Sequence, residues 1–263
     1  MPNIDLPGNL SVHYLDPNPN GSSPVLLLHG LGVTGESWSL QVPKLIQSGY
    51  RVLVPDARGF GRSTYPGVCT VPLMAADMAA LLTELGAYPV SVVGISMGGT
   101  IALQLTLDYP QFVTKLILVN TFAALRPEWI SEWIYFLFRF MLVHTLGLPT
   151  QAHFVSQRLF PLQEQSVFRE AMYEQIMQAN PDGYRAAMRA LARFDVRDRL
   201  SSIQTPTLVI TGDNDTTVNP KIQRRLVEGI PGARQVVIPE AGHGLIADQP
   251  DEFLAILLEF LNS

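Results

Sequence analysis

The sequence predicts an α/β fold: a mostly parallel central sheet of about eight strands, flanked by helices, with an inserted all-helical segment. Three observations predict it. Short, continuously apolar runs recur along the chain, and such runs suit strands buried on both faces of a parallel sheet. Helical patterns sit between most of them, and strand–helix alternation is the mark of α/β layering. The alternation then stops between about residues 122 and 203, where helical patterns follow one another with no strand-like run.

Taken in order, residues 3–16 read as a hairpin, with Ile4 to Leu6 and Leu10 to Tyr14 flanking a Pro7-Gly8-Asn9 turn. After a polar loop, Val25 to Leu28 is the first buried strand and ends at His29-Gly30. The later strands are Arg51 to Pro55, Val90 to Val93, Lys115 to Val119, Thr207 to Ile210 and Gln235 to Ile238. Helices are predicted over about Pro43 to Ser48, Val71 to Leu85, Met97 to Asp108, Lys221 to Glu228 and Asp251 to Leu261. Inside the helical block, Asp182 after Pro181 is read as the N-cap of a further helix. The organisation that follows is a core domain of residues 1–121 and 204–263, with 122–203 inserted as a cap over the sheet's functional edge.

Composition narrows the function classes. Of 263 residues, 47% are apolar, enough for a sizeable core. Charged residues are 16%, against roughly 25% in ordinary soluble domains, so some apolar surface is expected to be in use. The net charge is −5 and no Lys/Arg cluster stands out, which argues against a nucleic-acid partner. Cys69 is the single cysteine; it cannot form an internal disulfide and is read as a small buried apolar residue rather than a nucleophile. The first residues carry neither a basic region nor an apolar stretch, so no signal peptide is read and a cytoplasmic location is expected. Trp129 to Val143 is apolar nearly all round, but it is short and interrupted by Glu132 and Arg139, so no membrane span is expected. Packing against the core, lining an apolar acyl pocket and docking on a lipid surface all remain open for it, and the first two are compatible.

The chemistry starts at Gly94-Ile95-Ser96-Met97-Gly98. A strand precedes this G-x-S-x-G and a helix follows it. That turn is tight enough to hold the serine in a strained backbone conformation, with its hydroxyl displayed at the sheet's C-terminal edge. Ser96 is therefore the candidate nucleophile. The pattern alone is common, so the case needs a base, an acid and anion-stabilising donors in the right places. Of five histidines, His243 lies in Glu240-Ala241-Gly242-His243-Gly244, directly after the last strand. Flanking glycines let that loop carry an imidazole over the sheet edge, and an imidazole can take and return a proton near neutral pH. His13 lies on a hairpin strand, His144 and His153 in the helical block, and His29 reads as shaping its loop.

The acid should also follow a strand. Thr207 to Ile210 ends in Thr211-Gly212-Asp213-Asn214-Asp215. A carboxylate there can fix the imidazole's tautomer and stabilise the imidazolium. Asp215 is preferred to Asp213, which is equally suited to shaping the turn. Asn120, at the end of the preceding strand, carries no charge and is set aside as an acid. The order Ser, Asp, His is the one the strand–turn–helix motif predicts. Two backbone N–H groups should meet the developing oxyanion: Met97, at a helix N-terminus just after the serine, and Leu31, in the glycine-flanked loop after the first buried strand.

These segments together resemble the α/β-hydrolase fold superfamily over essentially the whole length outside the helical block. The resemblance rests on H-G-L-G at 29–32 with Trp38, P-D-A-R-G-F-G-R-S at 55–63, G-I-S-M-G-G at 94–99, G-D-N-D-x-x-x-N-P at 212–220 and A-G-H at 241–243. The family's G-x-x-D pattern falls on Asp215, and its cap normally enters where the helical block lies. The charges of segment 55–63 read as pins for a loop, not as a phosphate site. The resemblance implies an enzyme without metal or cofactor that acts on a small-molecule ester. A serine in place of the aspartate nucleophile of dehalogenases and epoxide hydrolases points to acyl transfer to water. Within that class it leaves open carboxylesterase, lipase, lactonase, thioesterase, carbon–carbon bond hydrolase and cofactor-free perhydrolase. A triad-retaining ligand receptor is the alternative from a different class. The apolar start of the helical block implies small to medium apolar acyl chains. The sequence leaves the oligomeric state open.

Overall fold

The computed structural model describes residues 2–125 and 130–263, leaving aside the side chains of 131 and 132. The strands are β1 (Asn3–Leu6), β2 (Leu10–Leu15), β3 (Ser23–Leu28), β4 (Tyr50–Pro55), β5 (Val90–Ile95), β6 (Val113–Val119), β7 (Thr207–Gly212) and β8 (Arg234–Ile238). They form one eight-stranded sheet in the order β1-β2-β4-β3-β5-β6-β7-β8. The hairpin β1–β2 and the junction of β2 with β4 are antiparallel. Every pairing from β4 through β3 to β8 is parallel. The helices are α1 (Val42–Gln47), α2 (Val71–Glu84), α3 (Met97–Asp108), α4 (Ile130–Thr145), α5 (Gly147–Leu159), α6 (Ser166–Met177), α7 (Pro181–Arg193), α8 (Pro220–Gly229), α9 (Leu245–Asp248) and α10 (Pro250–Asn262).

The continuous apolar runs have the expected physical cause. Side chains alternate across a strand, so a strand covered on both faces needs apolar residues at every position. In β3, Val25 and Leu27 join a cluster with Leu45 of α1 and Phe253 and Leu257 of α10. Leu26 and Leu28 point the other way, into a second cluster with Met74 of α2 and Ile101 of α3. A fully buried Leu or Phe contributes about 1.5–3 kcal/mol, so these two layers supply most of the driving force. The second cluster runs on without a break into Val143 of α4, Leu148 of α5, Ile176 of α6 and Tyr184 of α7.

The predicted helices are found with their ends shifted by at most one residue. One detail is corrected. Asn180, not Asp182, caps α7, its side-chain oxygen accepting from the backbone N–H groups of Asp182 and Gly183 at 3.0 Å each. Pro181 occupies the first helical position, where its missing N–H costs nothing, so the cap falls one residue before it. The described residues of 122–203 contain α4 to α7 and, of β structure, only one isolated bridge between Ala124 and Asp195. Trp129, the predicted start of the apolar stretch, lies outside the described residues, as does Met1. No helix among the described residues is long and apolar enough to cross a membrane.

Candidate active site

Parallel strands end on one side of the sheet, and the loops leaving that side collect the chemistry. Four non-glycine residues have a positive φ among the described residues, and three of them stand on this edge. They are Ser96 after β5 (φ 54°), Asn120 after β6 (φ 43°) and Glu240 after β8 (φ 58°). Such conformations cost about 1–3 kcal/mol each and persist only where the surroundings enforce them. At Ser96 the enforcement is visible. Its N–H donates to Val119 O at 3.0 Å, its carbonyl accepts from Thr121 Oγ1 at 2.6 Å, and α3 begins at the next residue. The neighbouring glycines have no room for a side chain. A Cβ on Gly94 would strike the carbonyl of Gly98, and one on Gly98 would strike the carbonyl of Leu28. On Gly99 it would come within 2.5 Å of Thr121.

Asp215 and His243 meet. His243 Nδ1 lies 2.8 Å from Asp215 Oδ2, and the Asp215 side chain is fully buried. Asp215 Oδ1 accepts from the backbone N–H groups of Thr217 and Val218, both at 2.8 Å, and Oδ2 also accepts from Gln223 Nε2 at 3.2 Å. An acceptor that crowded leaves His243 Nδ1 as the donor, so Nε2 is the free, basic nitrogen of the neutral ring. Asp213 is exposed and makes no contact with the imidazole in the described structure.

Two residues without a role in the sequence reading hold the His243 loop. Asn120 is fully buried; its Nδ2 donates to the carbonyls of Gly242 at 2.9 Å and His243 at 3.0 Å, and its Oδ1 accepts from Gly212 N–H at 2.9 Å. One amide thus ties the loop carrying His243 to the strand end that leads to Asp215. On the other side, Asp248 accepts from Gly242 N–H at 3.3 Å and from Gln165 Nε2 at 3.0 Å, which links the loop to the helical block. Burial pushes the Asp248 carboxyl above the usual carboxylate range, against hydrogen bonds from Gly242 and Gln165 that pull it down.

The loop after β3 is equally constrained. Burial holds the His29 imidazole below its ordinary pKa, despite the opposing influence of Asp56 and the Gly30 carbonyl. It is a neutral ring with Nδ1 donating to Gly30 O at 2.8 Å and Nε2 accepting from Ala57 N–H at 2.9 Å. Both nitrogens are committed, and His29 shapes its loop. That loop passes Ser96 closely enough that a Cβ on Gly30 would sit 3.7 Å from the serine Cβ. Leu31 follows, on the cavity wall, and Met97 opens α3 on the other side of Ser96. The 55–63 segment pins itself as expected. Asp56 accepts from Gly35 N–H at 2.8 Å and Arg62 N–H at 3.0 Å, and Arg58 Nε donates to Asp77 at 2.6 Å.

Ser96 and His243 line one cavity of about 780 Å³. Its floor is the sheet edge; its other walls come from α4 to α7 and the loop after β3. Apolar side chains dominate, among them Trp133, Leu137, Phe160, Phe168, Met172 and Leu191. Several of the α4 residues also face solvent, Leu137 being 61% exposed, so the cavity opens past them. The remaining candidates lie elsewhere. Cys69 is buried and its thiol is pushed up to about 11, chiefly by burial, which leaves it inert as a nucleophile. His13 pairs with Asp56 at 3.0 Å, His144 stacks on Phe140, and His153 is exposed. No cluster of His, Cys, Asp and Glu suited to a metal occurs among the described residues.

Comparison with known proteins agrees with this fold. The family model described as alpha/beta hydrolase fold matches residues 23–250. The putative carbamate hydrolase RutD of Caulobacter sp. (strain K31) is 34% identical over 247 residues, 90% of each chain. The pimeloyl-[acyl-carrier protein] methyl ester esterase of Vibrio vulnificus (strain YJ016) is 28% identical, over 91% of this chain and 95% of that protein. Among solved structures, the esterase EaEST from Exiguobacterium antarcticum superposes with a TM-score of 0.92 at 25% identity, covering 99% of both chains.

Proposed function

The chain belongs to the alpha/beta hydrolase fold family and is a hydrolytic enzyme, and from that premise we propose that it cleaves carboxylic esters with small to medium apolar acyl chains through Ser96, His243 and Asp215. The single observation that carries this reading is the 2.8 Å contact between His243 Nδ1 and a buried Asp215, with His243 sharing a cavity with the strained Ser96. In the first half-reaction His243 Nε2 takes the Ser96 proton as Oγ attacks the ester carbonyl. The tetrahedral oxyanion then accepts from the N–H groups of Leu31 and Met97, each worth about 3 kcal/mol to the transition state. Collapse expels the alcohol, which leaves with the proton that His243 returns, and an acyl-serine remains. Water, deprotonated by the same imidazole, repeats the sequence and frees the acid.

Asp215 acts through His243, stabilising the imidazolium that forms in each half-reaction. Residues 122–203 serve as the cap over a core of 1–121 and 204–263, and the apolar walls they give the cavity support an apolar acyl group. The test is a panel of p-nitrophenyl esters of rising chain length, with a lactone, a thioester and a carbamate alongside. Esters of medium length are expected to be turned over fastest, and Ser96→Ala to lower turnover by at least about a thousandfold with the fold intact. A Ser96→Ala enzyme as active as the parent would remove the serine from the mechanism. Preference for the lactone, the thioester or the carbamate over every ester would keep the triad and change the substrate.

A further inference from the structure

We infer that the cavity over Ser96 takes esters whose chain ends in a carboxylate, and that Arg139 is the residue that receives it; this rests on the hydrolase reading above. Arg139 stands on α4, in a largely apolar stretch of helix, and only 6% of it is exposed. It forms part of the same cavity wall as Ser96 and His243. A guanidinium stays charged in any protein environment, and burying a charge without a counter-ion is costly. The partners of Arg139 are all neutral. Nη2 donates to the Tyr184 hydroxyl at 3.1 Å. With the Gln151 amide turned to present its oxygen, that oxygen accepts from Nη2 at 2.9 Å and from Nε at 3.0 Å. The Tyr135 ring lies 5.7 Å from the guanidinium carbon. No carboxylate pairs with Arg139 among the described residues; its side-chain partners there are Tyr135, Tyr184 and Gln151.

Among the described residues, the rest of the wall offers no alternative counter-ion. Glu36 is the only carboxylate on it among the described residues, and Glu36 is half exposed and faces Arg62 at 3.9 Å. Apart from His243, Arg139 is the only basic side chain there among the described residues. A leucine at position 139 would suit α4 and the cavity alike, without the cost of desolvating a charge. A cationic wall residue lacking an anion is complementary to a ligand that brings one. A carboxylate in the cavity would supply the missing anion and gain a charge-assisted hydrogen bond from the guanidinium. The substrate class is then the half-ester of a dicarboxylic acid, or an ester with an acidic alcohol portion, its methylenes lying against the apolar walls.

The experiment compares p-nitrophenyl monoesters of adipic and suberic acids with the neutral p-nitrophenyl esters of equal carbon number. It uses the full chain, Arg139→Gln and Arg139→Lys, with melting curves to confirm folding. In the parent, kcat/KM for at least one acidic ester should exceed its neutral match by about tenfold, mostly through KM. Arg139→Gln should bring that ratio to about one, and Arg139→Lys should keep part of it. A parent ratio of one or less at both lengths overturns the proposal, as does an unchanged ratio in Arg139→Gln. Should Arg139→Gln fail to fold, competition by free adipate and hexanoate against p-nitrophenyl butyrate decides: adipate must bind more tightly than hexanoate. Adipate and hexanoate binding to Ser96→Ala, measured by calorimetry, tests the anion site even if the esterase reading fails.

Discussion

The sheet edge and the helical block that faces it across the cavity are built on opposite terms. At the edge, backbone strain, buried hydrogen bonds and glycines without room for a Cβ leave the candidate catalytic groups almost no freedom. Ser96, Asn120 and Glu240 all hold positive φ angles there, and Asp215 has every oxygen engaged. Across the cavity, α4 and α6 offer apolar side chains with little hydrogen bonding between them, several of them open to solvent. The difference is what a division of labour requires. Chemistry needs fixed geometry to within a fraction of an ångström, whereas accommodating a chain needs apolar area and some adaptability.

Substitutions on the two sides should therefore fail in different ways. The largest effect expected after loss of the serine is at the acid. Asp215→Asn should lower kcat by about 10³–10⁴, as loss of the tautomer-fixing carboxylate does in a serine triad. Asp213→Asn, at an exposed position, should change it less than about twofold; the reverse order in steady-state kinetics would move the acid to residue 213. A smaller loss is expected at Asn120→Ala, which removes three hydrogen bonds around the His243 loop. Stability should drop by about 1–3 kcal/mol, and kcat should fall about tenfold while KM for a short ester moves little. If KM rises instead and kcat holds, Asn120 does not serve the imidazole. Among the residues given a role, the smallest effect belongs to the helical block. Trp133→Ala should cut the preference for octanoate over acetate esters by about tenfold or less, a few methylenes' worth of contact. Equal losses on both esters would mean that this side does more than accommodate the chain, and the division of labour would fail.

The two regions are also unequally legible. Strands buried on both faces announce themselves as unbroken apolar runs, and Ser96 is visible because a strained turn demands glycines at fixed spacing. Asp215 and Asp213 differ by only two positions, and what separates them is which carboxylate the loop turns inward. Asn120 escapes a search for charged groups; its clue is an asparagine at a strand end, a residue type that tolerates the left-handed region. Arg139 reads as an interruption of an apolar helix. Nothing in its local pattern tells a surface arginine from one buried against Tyr184 and Gln151, because those partners come from other helices.

Gly32 adds a constraint on recombination. It sits in the loop after β3 with φ at 89°, and a Cβ there would come within 2.8 Å of the Tyr184 ring and 3.0 Å of Ile176. Nearby, Thr34 N–H donates to Gln175 Oε1 at 3.1 Å. A chimera that borrows residues 122–203 from a relative must import side chains that fit against that bare α-carbon. Otherwise the mismatch is passed along the loop to the peptide beside Ser96, and new specificity arrives together with slower turnover.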